Sequence, residues 1–140
     1  MNNSKVVLFY GLSLIGALLL VLCASKSTLA QTGSLENQWM GPGMWLAIIF
    51  IVIIYAITTA LYVFLEEAKA IHSSLQIIGI FIAVILGMIL GMDALSGHDS
   101  VLAYMTFIAG GIVVIANIIS LILLLKRPKN NYYGNFSMYR

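Results

Sequence analysis

Four apolar runs divide the chain, each bracketed by charged or helix-breaking residues and none carrying an ionised side chain in its middle. Residues 6–25 lie between Lys5 and Lys26, and 43–65 between Pro42 and Glu66. Residues 73–92 lie between His72 and Asp93, with the helical span carried to about 95, and 100–125 lie between Asp99 and Lys126. At about 1.5 Å per helical residue even the shortest reaches roughly 30 Å, the thickness of a bilayer's hydrocarbon core. In that solvent every backbone N–H and C=O must be satisfied within the protein, so each run is expected to be a helix. The expected fold is an all-α membrane protein, a four-transmembrane-helix bundle occupying residues 1–129. An aromatic, polar tail follows at 130–140, and the last span has length to spare for tilt.

Hydrophobic residues make up 61% of the chain and charged residues only 9%, against roughly half and a quarter in soluble domains. The connections are too short to fold independently, so no soluble catalytic module fits between the helices. Hydrolase elbows, phosphate loops, zinc-peptidase motifs and cysteine pairs are absent from the sequence, and no catalytic activity of the chain's own is expected. Cys23 is the only cysteine, which precludes an intramolecular disulfide and suits a small apolar residue at a span end. A lipoprotein role for it fails because Leu22 stands where a small residue is required. The first span also has the look of a secretory signal peptide, with a cleavage site after Ala30. Against that stand the distance of the site from the apolar run and the intervening Lys26; cleavage would leave three helices in the same orientation.

Charge placement sets an expected orientation. With four crossings, Lys5, Lys69, Lys126, Arg127, Lys129 and Arg140 share one side and only Lys26 lies opposite, which predicts both termini on the cytoplasmic side. Clustered positive charges directly after a span are a topology signal with affinity for anionic headgroups, so nucleic acid is not an expected partner. Trp39 and Trp45 flank the Gly41-Pro42-Gly43 turn and, with Met40 and Met44, form a collar suited to the headgroup layer.

The clearest pattern within a span is Gly79, Ala83, Gly87 and Gly91, which recur every fourth residue and include a literal GxxxG. Such a ladder forms one groove along which another backbone can approach closely. The next span carries its own small patch, Ala103, Thr106, Ala109, Gly110 and Gly111, and the connection between the two is short enough to make them antiparallel neighbours. The polar residues noted within the spans are Tyr10, Ser13, Tyr55, Thr58, Thr59, Tyr104, Thr106, Asn117 and Ser120. Most are hydroxyls that can bond to their own helix. Asn117 cannot be fully satisfied that way and is expected to face a protein neighbour, with Thr58 or Thr59 at similar depth.

Ionisable groups gather at the two ends: Glu66, Glu67, Lys69 and His72 inside, Asp93, His98 and Asp99 outside. The outer set contains ligand types for a hard or borderline metal, a weak candidate site without a recognised spacing. No other cofactor is expected: a haem held in the bundle would need ligands inside the spans, and both histidines read as lying at or beyond the span ends. No small-molecule substrate is indicated, and proton-coupled transport is disfavoured without an intramembrane acid or base. In the tail, Tyr132, Tyr133, Phe136 and Tyr139 are set among asparagines, a composition suited to docking on a partner subunit or lying along headgroups.

These features predict a small accessory or scaffold subunit of a larger membrane complex, such as a membrane-bound oxidoreductase or energy-conversion assembly, with lipid and other integral membrane subunits as partners. The alternative is an oligomeric channel or transporter with Asn117, Thr58 and Thr59 along its path. A third is a metal-binding enzyme subunit using Asp93, His98 and Asp99.

Overall fold

The computed structural model describes residues 2–32, 38–64 and 69–126. Four long helices, α1 (Asn2–Lys26), α3 (Pro42–Phe64), α4 (Lys69–Ser96) and α5 (Ser100–Leu125), run up and down in sequence, with a single-turn helix α2 (Thr28–Gln31) after the first. Their ends follow from local chemistry. Pro42 opens α3 at the one helical position where its missing N–H costs nothing. Ser27 caps α2 by accepting the Ala30 N–H. Asp99 caps α5 by accepting the Leu102 N–H at 2.9 Å. His98, at φ 63°, turns the chain from α4 into that cap.

Three of the helices form a tight unit with α5 in the middle, flanked by α1 on one side and α4 on the other. The buried positions show why. On α4 they are His72, Gln76, Ala83, Gly87, Leu90, Gly91 and Ala94, a stripe that recurs at helical spacing and keeps one face of the helix on a neighbour. On α5 the same spacing buries Leu102, Thr106, Ala109, Val113, Ala116 and Ser120. Small residues bring the backbones together. A Cβ on Gly16 of α1 would lie 3.0 Å from the Ala109 carbonyl oxygen and 2.8 Å from a Val113 methyl of α5. A Cβ on Gly110 would lie 3.7 Å from the Gly87 Cα of α4.

The fourth helix is attached differently. α3 packs along α1, makes few contacts with α4, and buries only Met44, Thr58 and Tyr62. In its most apolar window 11% of residues are buried, against 28–33% in the other three helices. The outward faces of all four carry large apolar side chains, Phe50, Phe81, Met92 and Ile108 among them. In water such a surface would aggregate; in a bilayer it faces its own solvent.

Candidate functional site

Towards the end of the bundle that holds the start of α1, the core is polar and aromatic. Thr58 on α3 donates its hydroxyl proton to the Ile54 carbonyl at 2.8 Å, so in its 2.9 Å contact with Tyr10 of α1 the tyrosine is the donor. One turn deeper, Ser13 and Tyr55 pair at 2.8 Å. The Tyr10 ring stacks on Tyr55 with centroids 4.5 Å apart. On its other side Tyr10 meets His72 of α4 edge-on at 4.4 Å, and His72 stacks on Tyr62 of α3 at 4.8 Å. Offset stacks and edge contacts are the arrangements that ring quadrupoles favour. These contacts hold α3 to the rest. A second chain of bonds ties the tight unit: Gln76 Nε2 donates to Ser120 Oγ at 2.8 Å, and Ser120 donates to the Val6 carbonyl at 3.3 Å, joining α4, α5 and α1.

Several groups in this core make no hydrogen bond of ordinary length: both ring nitrogens of His72, although its ring approaches the Thr58 backbone, Oε1 of Gln76, and both amide atoms of Asn117. In a dry interior each such atom forfeits a bond it would make in water, which marks these positions as places where a ligand or a moving part would be stabilised. The Tyr55 hydroxyl approaches the Asn117 amide, yet its short bond goes to Ser13.

Asn117 and Tyr55 belong to the wall of a cavity of about 360 Å³ between α3 and the α1–α4–α5 unit. Apart from Tyr10, Tyr55 and Asn117 the wall is aliphatic, Leu20, Ile51, Ile54, Ile82 and Leu86 among its residues, and no charged side chain lines it. Sealed and empty, a void of that size would cost on the order of 9 kcal/mol at about 24 cal/mol per Å³, as much as a whole domain's stability. The cleft is not sealed: it is partly open, where α3 and α4 scarcely touch.

The residues singled out in the sequence fall in different places. Gly87 faces Gly110 across the α4–α5 contact, Ala83 is buried beside it, and Gly79 faces the Asn117 amide. Gly91 lies under the Phe107 ring. Gly111 has nothing within 4 Å of its Cβ position and stands outside the close approach. Asn117 is buried as expected of an amide, but neither Thr58 nor Thr59 bonds it. Thr58 is engaged by Tyr10 and Thr59 returns its bond to the Tyr55 carbonyl. The collar is split: Trp39 and Trp45 are half exposed and Lys26 sits 4.3 Å over the Trp39 ring, whereas Met44 is buried.

The outer cluster is occupied with structural work. The Asp93 carboxylate accepts from the backbone N–H and the hydroxyl of Thr28, and Asp99 is the α5 cap. Asp93, His98 and Asp99 do not converge, and among the described residues no three His, Cys, Asp or Glu side chains do. Glu66, Glu67, Arg127, Lys129 and the tail residues Tyr132, Tyr133, Phe136 and Tyr139 lie outside the described residues.

Two core residues were missed. In the sequence His72 reads as a boundary, but α4 begins at Lys69, a turn earlier, and carries the ring inside, where it is 2% exposed. Gln76 is fully buried, although nothing in the apolar runs alone singles it out. The signal existed: 72, 76, 79, 83, 87, 90 and 94 step by three and four along one face, so the small-residue ladder already pointed back to both.

Fold and site together define a multi-pass membrane protein, a four-helix bundle with a polar core at one end and a side cleft in its apolar half. The chain belongs to DUF5391, a family of unknown function, which matches residues 1–129. Comparison with curated proteins and with solved structures found no match.

Proposed function

We propose that this protein is a small accessory or scaffold subunit of a larger membrane complex, with an oxidoreductase or energy-conversion assembly as the expected setting. The supporting observation is the uncovered face of α3. Leu46, Phe50, Ile53 and Ile57 are all about half exposed or more, and they step by four, three and four, the spacing with which one helix seats knobs into another. The outward face of α4 shows the same stepping at Phe81, Ile85, Met88 and Met92, but α3 is the helix least covered by the others, with 11% of its apolar stretch buried against 28–33%. The charge distribution supports a cytoplasmic location for both termini. The aromatic residues of 130–140 supply a second docking element on that side. The outer carboxylates, already bonded to Thr28 and Leu102, are not offered as a metal site. Thr58 bonds Tyr10 in the core, and Thr59 returns its bond to the Tyr55 carbonyl of its own helix.

Isolation of the tagged full-length chain in mild detergent tests the proposal. A hetero-partner should co-purify in fixed stoichiometry, and Phe50→Ala combined with Ile57→Ala should release it, as should deletion of residues 130–140, while membrane insertion persists. Recovery as a lone homo-oligomer would replace the accessory role with the channel or transporter alternative.

A further inference from the structure

The geometry points to the cleft between α3 and the α1–α4–α5 unit as a binding site for an uncharged lipid, a long hydrocarbon whose polar end is a hydroxyl or carbonyl, hydrogen-bonded to Asn117. This does not depend on the accessory role.

Three observations select that occupant. The first is size. A cavity of about 360 Å³ has room for roughly a dozen carbons, taking each as about the 30 Å³ that a water occupies in the liquid. A membrane-crossing helix about 10 Å across needs several times that volume, so the cleft fits a chain and not a partner helix. The second is charge. No Lys, Arg, Asp or Glu lines the wall, and an ionised headgroup drawn to this depth would be left without a counter-ion. The third is the single free polar group. The Tyr10 and Tyr55 hydroxyls in the wall are held by Thr58 and Ser13. The amide of Asn117, 1% exposed, is approached by the Tyr55 hydroxyl, but that hydroxyl is bonded to Ser13; neither amide atom makes a hydrogen bond of ordinary length, and the amide can serve a hydroxyl or a carbonyl equally.

Depth separates this ligand from an ordinary bilayer phospholipid. Asn117 stands eight residues before the end of α5 at Leu125, about 12 Å along the helix, whereas the ester carbonyls of a phospholipid lie at the edge of the hydrocarbon. A lipid with a small neutral end can bring it down to Asn117, its chain running past Leu20, Ile82 and Leu86 and entering sideways where α3 and α4 part.

The full-length protein in phosphatidylcholine vesicles is photolabelled with a diazirine-bearing hexadecanol, and in parallel with the same diazirine hydrocarbon lacking the hydroxyl. The alcohol should label residues of α1, α3 and α4 facing the cleft about three- to tenfold more than the hydrocarbon does, the preference expected for one neutral hydrogen bond in an apolar site. Asn117→Leu should bring the alcohol down to the hydrocarbon's level. Gly79→Leu should abolish cleft labelling by both, because a side chain at Gly79 meets only the Asn117 amide nearby and otherwise fills the cavity. Gly111→Leu, on open surface, should change nothing and reports that the fold tolerates such a substitution. Labelling confined to the outer faces, or equal labelling by alcohol and hydrocarbon in the wild type, would overturn the proposal. Alcohol labelling unchanged by Asn117→Leu would do the same, as would exclusion of both probes from the cleft in a purified complex, which would assign the space to a partner's side chain.

Discussion

Replacing Gly16 with alanine adds one methyl group where, among the described glycines, a Cβ would come closest to a neighbouring helix's backbone, and the structure says what it meets. The new Cβ would lie 2.8 Å from Val113 Cγ2, 3.0 Å from Ile112 Cγ2 and 3.0 Å from the Ala109 carbonyl oxygen. The methyls can rotate away in part; the carbonyl belongs to the backbone of α5, so the two helices must separate. Overpacking of this kind costs about 1–3 kcal/mol. Alanine also favours a helix over glycine by about 1 kcal/mol, which would mask part of that cost in the single variant. Gly87→Ala supplies the control, because its Cβ would sit 3.9 Å from the Gly110 Cα, an ordinary contact. Propensity gains are equal in the two variants and cancel, leaving a difference of roughly 2 kcal/mol, about 30-fold in the folding equilibrium. Reversible unfolding in mixed micelles of dodecylmaltoside and SDS, followed by far-UV circular dichroism, measures it. Equal midpoints for Gly16→Ala and Gly87→Ala would show that α1 and α5 are not in close backbone contact and would refute the packing described for them.

Two further outcomes are expected. Ser120→Ala removes the acceptor of Gln76 Nε2 and leaves that amide wholly unpaired, whereas Gln76→Leu removes an amide whose Oε1 already lacks a partner and leaves Ser120 bonded to the Val6 carbonyl. The serine variant should therefore lose about 1–3 kcal/mol and the glutamine variant little; the reverse order in the same unfolding assay would discredit the inferred bonding. For orientation, single cysteines at His98 and Lys126 in a Cys23→Ser background should react with an impermeant maleimide in intact cells only at position 98, and reaction only at position 126 would invert the bundle.

The number of helices, their approximate ends and the solvent around them were legible in the sequence, because a bilayer removes every alternative: an apolar run of about 20 residues has nowhere to satisfy its backbone except in a helix. The residues that start helices, Pro42 and Asp99 among them, act locally and could likewise be read in place. Which faces meet could be read only in part. The ladder at Gly79, Ala83, Gly87 and Gly91 marks a close-packing face, but Gly16, where a Cβ would come closest to another helix's backbone, has no such periodicity around it. Its importance comes from lying opposite Ala109 and Val113, more than ninety positions away.

What only the tertiary structure decided is the fate of the polar groups. Hydrophobicity fixes that a residue leaves water, and all four spans do so alike; it does not say which polar atoms will find each other, since that depends on the rotation and depth of every helix at once. Thus Thr58, which was expected to serve Asn117, is taken by Tyr10, His72 moves from boundary to core because α4 starts a turn early, and Asn117 is left facing a cleft that exists because α3 packs on α1 and stands away from α4.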